Sequence, residues 1–335
     1  MLTEETRSTL DNEPSSANPR GFSAAELINC AACLRPNPPN RVNCLYCGFA
    51  LSGAEAIEQY QDQAVKRAKT DTAAYIVVAS RRNEPDENQI SKAAALVGIG
   101  TPEFGRVVEV ARVIPICRAP ALADAEAVRG KLTSPGFEPI IISEQHLDLE
   151  SPPIDIRALE MCDESVSAFG RRGELALSAP WQDVTLVVMG HLHFSTVEVE
   201  QRRKRNQRKI VAERRLLTDE AVLDIYYRHG AVPWRIKGNS FDFSCLREQK
   251  AITAFDNFVS LIKLLRQHAK CADFNDDYVR LRRLLDKIWP TENSEQPPQR
   301  RRAGWREIEA TASHSSNEAQ FNCYSRLLRL LSEQN

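Results

Sequence analysis

The chain has 335 residues, 42% of them apolar and 27% charged, with a net charge of −1; this is an ordinary globular composition with room for two or three cores. That balance excludes wholesale electrostatic attraction to nucleic acid or to an anionic membrane, and leaves such contacts to local basic tracts. No run approaches the roughly 18 apolar residues of a membrane-spanning helix, and Met1-Leu2-Thr3-Glu4-Glu5 lacks the basic and apolar segments of a signal peptide, so a cytoplasmic protein is expected.

Residues 1–27 are rich in Glu, Ser, Asn and Pro, have little to bury, and are expected to be disordered. Next come Cys30-Ala31-Ala32-Cys33 and, after ten intervening residues, Cys44-Leu45-Tyr46-Cys47-Gly48. Each Cys-x-x-Cys pair can fold as a knuckle that aims two thiolates at one ion, so Cys30, Cys33, Cys44 and Cys47 are expected to hold one structural zinc. Four thiolates leave no open position, which suits an ion that holds a fold together and not one that activates water. Two disulfides or a redox Cys-x-x-Cys are the competing uses; the lack of a secretory leader and of a surrounding βαβ pattern weighs against both.

The pattern Cys-x2-Cys-x3-Asn-x6-Cys-x2-Cys, with Asn37 at the Asn position, resembles zinc-ribbon modules and the RanBP2-type finger over residues 28–52. Gly48, Phe49 and Leu51 suit either. The RanBP2 type carries a Trp two residues before its first Cys, where this chain has Ile28, so the resemblance implies the module and its metal but not the family's RNA or ubiquitin partners. Good helix formers with a thin apolar stripe then predict a linker helix over 53–73.

From Ala74 short apolar runs alternate with amphipathic segments. A strand is expected over 75–79, then a helix opened by Asp86 and stopped by Gly98 and Gly100. A second helix runs to about residue 111, with Thr101 as N-cap and Pro102 at its first position. A strand over 113–117 is placed at an edge by Pro115, and a helix over 124–132 and a strand over 137–142 complete a βααβαβ unit, residues 74–143, with helices on one face. This order, with Gly98-Ile99-Gly100 and the run Ala123-Asp124-Ala125-Glu126-Ala127-Val128, resembles the C-terminal domain of the bacterial ribosomal stalk protein. That family binds translation factors through basic helix residues; Lys92 and Arg106 make no basic cluster here, so the resemblance implies the fold alone. The Gly-Ile-Gly follows a helix and lacks a third glycine, which excludes a dinucleotide loop.

Residues 143–153, acidic and ending in Ser151-Pro152-Pro153, read as a boundary linker. Short strands follow over 154–161, 166–169, 174–177, 185–189, 192–200, 221–227 and 234–237, then an amphipathic helix over 249–268 with Phe255, Phe258, Leu261, Ile262 and Leu265 on one face. With Pro180-Trp181-Gln182-Asp183-Val184 leading into a strand, this order resembles a pleckstrin-homology-like (PH-like) barrel, residues 154–290 with their capping helix. A helix over 276–288, a Pro/Gln/Arg linker over 291–316 and a last helix over 317–335 complete the chain; the stripe Phe321, Tyr324, Leu327, Leu328, Leu331 is expected to dock on the barrel. The fold class is therefore α+β multidomain: a small zinc ribbon, a βααβαβ sandwich, and a PH-like β-barrel with C-terminal helices.

Outside the cysteines, His191-Leu192-His193 puts two imidazoles on one strand face, either as metal ligands without a nameable third or as the solvated side of a strand. Arg202, Arg203, Lys204, Arg205, Arg208 and Lys209 form a basic tract, a contact for nucleic-acid or lipid phosphates or a solvated hairpin loop. Arg300, Arg301 and Arg302 with Trp305 and Arg306 make a second tract. Glu160, Asp224 and Asp242 show no acid–base spacing and read as surface or hairpin residues. Cys117, Cys162, Cys245, Cys271 and Cys323 read as buried reduced thiols. Together these features predict a non-enzymatic zinc-binding adaptor or scaffold with a protein partner. The alternative is a nucleic-acid- or ribosome-associated protein that uses the zinc module and the 202–209 loop together.

Overall fold

Asp86 starts a helix with both halves of a capping box: its carboxylate accepts from the Gln89 N–H, and the Gln89 side chain accepts from the Asp86 N–H. Gly98 ends that helix at φ +74°, the left-handed position for which glycine is suited. The computed structural model in which these caps are seen describes residues 27–38, 41, 44–47, 51, 74–81, 85–133, 137–204, 207–230, 232–297, 299–303 and 306–333. The expected disorder over 1–26 and the linker helix over 53–73 lie outside the described residues.

Strands β1 (Ile28–Asn29) and β2 (Pro36–Asn37) pair antiparallel in the cysteine module. Then come β3 (Tyr75–Arg81), α1 (Glu87–Val97), α2 (Thr101–Val110), β4 (Val113–Ala119), α3 (Leu122–Thr133) and β5 (Phe137–Ser143), the βααβαβ order read from periodicity. Their antiparallel sheet runs β4-β3-β5, which leaves Pro115 on an edge strand. Gly100, and not Thr101, stands at the N-cap of α2. Residues 143–153 correct the linker expectation: a 3-10 turn at Glu144–Leu147 buries Leu147, and the Glu144 carboxylate receives the Arg118 guanidinium at 2.7 Å and the Trp289 indole N–H at 3.1 Å.

The rest of the chain supplies β6 (Ile154–Ile156), β7 (Ala158–Met161), β8 (Ser165–Phe169), β9 (Leu175–Pro180), β10 (Val184–Lys204), β11 (Gln207–Tyr227), β12 (Trp234–Lys237) and α4 (Ala254–His268). It ends with β13 (Asp273–Asn275), α5 (Tyr278–Ile288), β14 (Glu292–Glu295), β15 (Gln299–Ala303), β16 (Arg306–Ser316) and α6 (Glu318–Ser332). One open sheet is ordered β14-β16-β10-β11-β12-β6, with β13 on β10 and β15 on β16; β7, β8 and β9 form a separate antiparallel sheet. No described sheet closes into a barrel, which corrects the PH-like expectation for 154–290. The reason is that the central hairpin is apolar on both faces. Leu186, Val188, Leu192, Val222 and Tyr226 share a core with α5, α6 and the 74–143 unit. Val187, Leu223, Ile225, Trp234 and Ile236 share another with α4 and the β7-β8-β9 sheet. A barrel strand buries one face inside; a sheet with two apolar faces needs a layer on each side.

Residues 291–316 are strands β14, β15 and β16, not the linker that their composition suggested. β16 pairs with β10 from Phe194↔Ser316 to Arg202↔Ile308, and its only alternation, Ile308, Ala310 and Ala312, has no large apolar residue after Ile308 to mark a strand. Pairing with a long neighbour supplies the order that propensity lacks. Helix α6 docks where Phe321, Tyr324, Leu327 and Leu328 join the core shared by the sheet and the 74–143 unit. Phe255, expected on the buried stripe of α4, is instead 65% exposed.

Close approach of α6 to the sheet depends on Gly190, where a Cβ would lie 2.4 Å from the Phe321 ring. Phe321 is fully buried and cannot swing away. Gly190→Ala should therefore cost about 1–3 kcal/mol of overpacking strain, read as a lower urea midpoint, and combining it with Phe321→Leu should cost less than the two single changes together. An unchanged midpoint in Gly190→Ala would show that the contact yields freely.

Candidate metal centre

The first knuckle is built by the backbone. The Cys30 N–H donates to Arg35 O at 3.0 Å and the Leu34 N–H to Cys30 O at 2.9 Å, a turn that places Leu34 at φ +59°. The second is tied to Cys44, whose Sγ accepts from the Tyr46 N–H at 3.4 Å. Asn37 joins them from a fully buried position. Its Nδ2 donates to Arg35 O at 2.8 Å and to Cys44 Sγ at 3.3 Å, and its Oδ1 accepts from the Leu45 N–H at 2.8 Å. The position singled out in the sequence pattern is thus a brace between the knuckles.

These supports bring the Sγ atoms of Cys30, Cys33, Cys44 and Cys47 within 4.8 Å of one another, with Cys30–Cys47 at 3.6 Å and Cys33–Cys44 at 3.5 Å. A tetrahedral shell with zinc–sulfur bonds of about 2.3 Å has sulfur–sulfur edges of about 3.8 Å, so the four thiols fit one ion, and none of them is in a disulfide. Among the described residues this is the one group of three or more metal-ligating side chains that converges so closely. Burial works against the Cys44 thiolate, but the Cys47 and Tyr46 N–H groups and the Asn37 amide outweigh it and bring its pKa down to about 7. Leu51 closes the small core behind Cys30 and Cys44; Gly48 and Phe49 lie outside the described residues.

The other residues singled out from the sequence are not gathered here. His191 and His193 both face Asp219, at 3.4 and 2.9 Å from the same carboxylate oxygen, but the three do not converge as the cysteines do. Asp219 sits across from His193 in the hairpin register, a partner visible only once β10 and β11 are paired. Burial pushes the His193 imidazole below its ordinary pKa, against the pull of Asp219. Asp242 is exposed and caps the 3-10 turn after it through the Ser244 N–H, and Glu160 is exposed on β7. Cys323 is buried, whereas Cys162 and Cys271 are exposed, which corrects the expectation of buried thiols at those two positions. Arg202, Arg203 and Lys204 lie in β10, and Arg208 and Lys209 in β11, so the tract is strand and not loop; Arg205 lies outside the described residues.

Asp224 corrects the surface reading outright. It is fully buried, and Arg235 donates to both its oxygens at 2.7 Å while reaching Glu318 of α6 at 3.2 Å. Ser325 of α6 donates to Asp224 at 2.7 Å and shares a 2.8 Å hydrogen bond with the Tyr226 hydroxyl. Nearby, the Glu220 carboxylate accepts from the Asn239 N–H, and burial pushes its pKa up to about 7 despite Lys237. A carboxyl raised on folding binds its proton more tightly in the native state, so it removes stability as pH rises from about 4.5 to about 7. Glu220→Gln should therefore add on the order of 3 kcal/mol of stability at pH 8, read as a higher urea midpoint, and change it little near pH 4.5. An equal effect at both pH values would mean that Glu220 titrates normally.

The chain matches no family model, no curated protein and no solved structure. The likenesses to ribbon and stalk-protein modules therefore rest on the quoted residues alone, and the PH-like one is overturned by the open sheet. No described helix is long and apolar enough to cross a membrane.

Proposed function

We propose that this protein is a non-enzymatic, cytoplasmic adaptor or scaffold in which residues 28–52 form a zinc-ribbon or RanBP2-type module with one structural zinc. The observation that carries this reading is the convergence of four cysteine Sγ atoms braced by Asn37. Four thiolates fill a tetrahedral shell, so the ion serves as a cross-link and presents no position for substrate or water. The module is too small to bury a stabilising core by itself, and the metal supplies the free energy that fixes its surface. That surface includes Leu34, 77% exposed at the tip of the first knuckle, and Tyr46 beneath the Arg35 guanidinium at 5.1 Å. A module of this kind serves as a recognition surface attached to a folded body.

The test compares tagged wild type with the Cys44→Ser variant, both purified from the native cells. Partner proteins retained by wild type and lost by the variant, whose body still melts normally, are the expected result. Hydrolase or transferase turnover of the purified chain, abolished by a point change within 154–335, would overturn the non-enzymatic assignment.

A further inference from the structure

Two basic tracts about ninety residues apart in the sequence meet at one end of the open sheet. β15 pairs with β16, β16 with β10 and β10 with β11, and the register runs Arg301↔Ile308, Ile308↔Arg202 and Arg202↔Lys209 along one row. The adjoining row holds Arg302↔Glu307 and Arg203↔Arg208. Residues directly across an antiparallel ladder share a face, and alternate residues along a strand do so too. One face of this sheet end therefore carries Arg202, Lys204, Lys209, Arg301 and Arg306, and the other Arg203, Arg208, Arg300 and Arg302. Among the positions whose burial is described, the last buried ones of the hairpin on this side are Thr196 and Leu216, and β10 runs on from Thr196 to Lys204 for roughly 25 Å at about 3.4 Å per residue.

The charge is concentrated here. These strand ends hold nine basic residues against Glu307 and Glu309 only, in a chain whose net charge is −1, so the sheet end is +7 and the remaining residues together −8. Arg202↔Lys209 and Arg203↔Arg208 are like-charged residues directly opposite in the register, an arrangement that disfavours each hairpin rung. A polyanion laid against the strands would relieve that repulsion and release its own counterions.

We infer that this four-stranded sheet end binds the phosphate backbone of nucleic acid, without sequence readout, through Arg202, Arg203, Lys204, Arg208 and Lys209 together with Arg300, Arg301, Arg302 and Arg306. Cations on both faces suit a flexible charged polymer that can wrap an edge; a membrane-binding surface is one-sided and pairs its cations with an apolar row. Four strands span about 14 Å, wider than the roughly 12 Å major groove that admits a two-stranded ribbon, so the contact follows phosphates and does not read base edges. The site is separate from the cysteine module in sequence and in composition. It therefore goes beyond the adaptor reading, and the two can fail independently.

The experiment is fluorescence anisotropy of the full chain with labelled oligouridine, oligothymidine and a mixed-sequence duplex across a salt series. Wild type should bind all three, with a log–log salt slope of about −4 to −6 on the single strands, given about 0.7 per neutralised phosphate. Arg300→Gln/Arg301→Gln/Arg302→Gln and Arg202→Gln/Arg203→Gln/Lys204→Gln should each flatten that slope by about 2 and weaken binding at least about tenfold at physiological salt. Equal losses from two distant segments are the signature of the composite site. Glu307→Gln/Glu309→Gln should tighten binding and keeps the inference testable if a triple variant misfolds. Absence of binding even at low salt, or a β15 triple variant that is folded and binds as wild type, would overturn it. So would phosphatidylserine vesicles capturing the chain when the oligonucleotides do not, or loss of oligonucleotide binding in Cys44→Ser.

Discussion

Cys44→Ser should release the metal and unfold residues 28–51 while the rest of the chain melts as in wild type. The argument is one of scale. Structural zinc sites supply about 10–16 kcal/mol of apparent binding free energy, whereas among the described residues the core behind these thiols is Cys30, Cys44 and Leu51 with Cys33 and Tyr46 packed against it, in a module of about two dozen residues. So little apolar surface cannot offset the entropy of ordering the module. Serine at position 44 removes a thiolate ligand and replaces the Sγ that accepts from the Tyr46 N–H and the Asn37 amide with a shorter hydroxyl, so the metal shell and part of the tie between the knuckles are lost together. The cores around Phe321 and Phe258 include none of the module's described residues, and their transition should not move. Elemental analysis should find one zinc per freshly reduced wild-type chain and almost none in the variant, with limited proteolysis cutting the variant first within 28–51. Less than about half an equivalent in wild type, or unchanged zinc in the variant, would show that the four sulfurs do not form the shell.

Arg235→Ala should be the most damaging single change in the body. Arg235 and Asp224 have side chains 1% exposed, and Glu318, beside them on α6, is 10% exposed and also held by Lys237 at 3.2 Å. Burial alone would keep the Glu318 carboxyl protonated, yet Lys237 and Arg235 outweigh it and hold its pKa below the ordinary value. Removing the guanidinium leaves the buried Asp224 carboxylate without its ion-pair partner and Glu318 with Lys237 alone, and breaking one side of a buried pair typically costs about 3–5 kcal/mol. The loss should appear as a lower urea midpoint and as earlier hydrogen exchange in α6, which the network fastens to β11 and β12. Joint replacement by Arg235→Met and Asp224→Asn should restore part of it, since an uncharged pair needs no counter-ion. A loss below about 1 kcal/mol in Arg235→Ala would mean that water reaches the site and screens it.

Within the sequence by itself, the signals that acted over a few residues were sufficient. The spacing of Cys30, Cys33, Cys44 and Cys47 selected the ligand set, because a knuckle is closed by hydrogen bonds inside its own turn. Asp86 and Gly98 bounded α1, and Pro115 marked an edge, because capping and the missing proline N–H are properties of single positions. The tertiary structure alone decided that 291–316 are strands, that Asp224 pairs with Arg235, and that Arg301 and Arg202 stand in one row. Each of these depends on a partner strand or helix far away in the chain. A strand such as β16, whose alternation after Ile308 is carried by Ala310 and Ala312 alone, has too weak a period to reveal it, and an aspartate reads alike whether it meets water or a guanidinium. Even the failure of the barrel expectation has this origin: alternation shows that a strand has two faces, but whether one or both are covered is settled by layers from before and after the hairpin in the chain, the 74–143 unit and the β7-β8-β9 sheet as well as α4, α5 and α6.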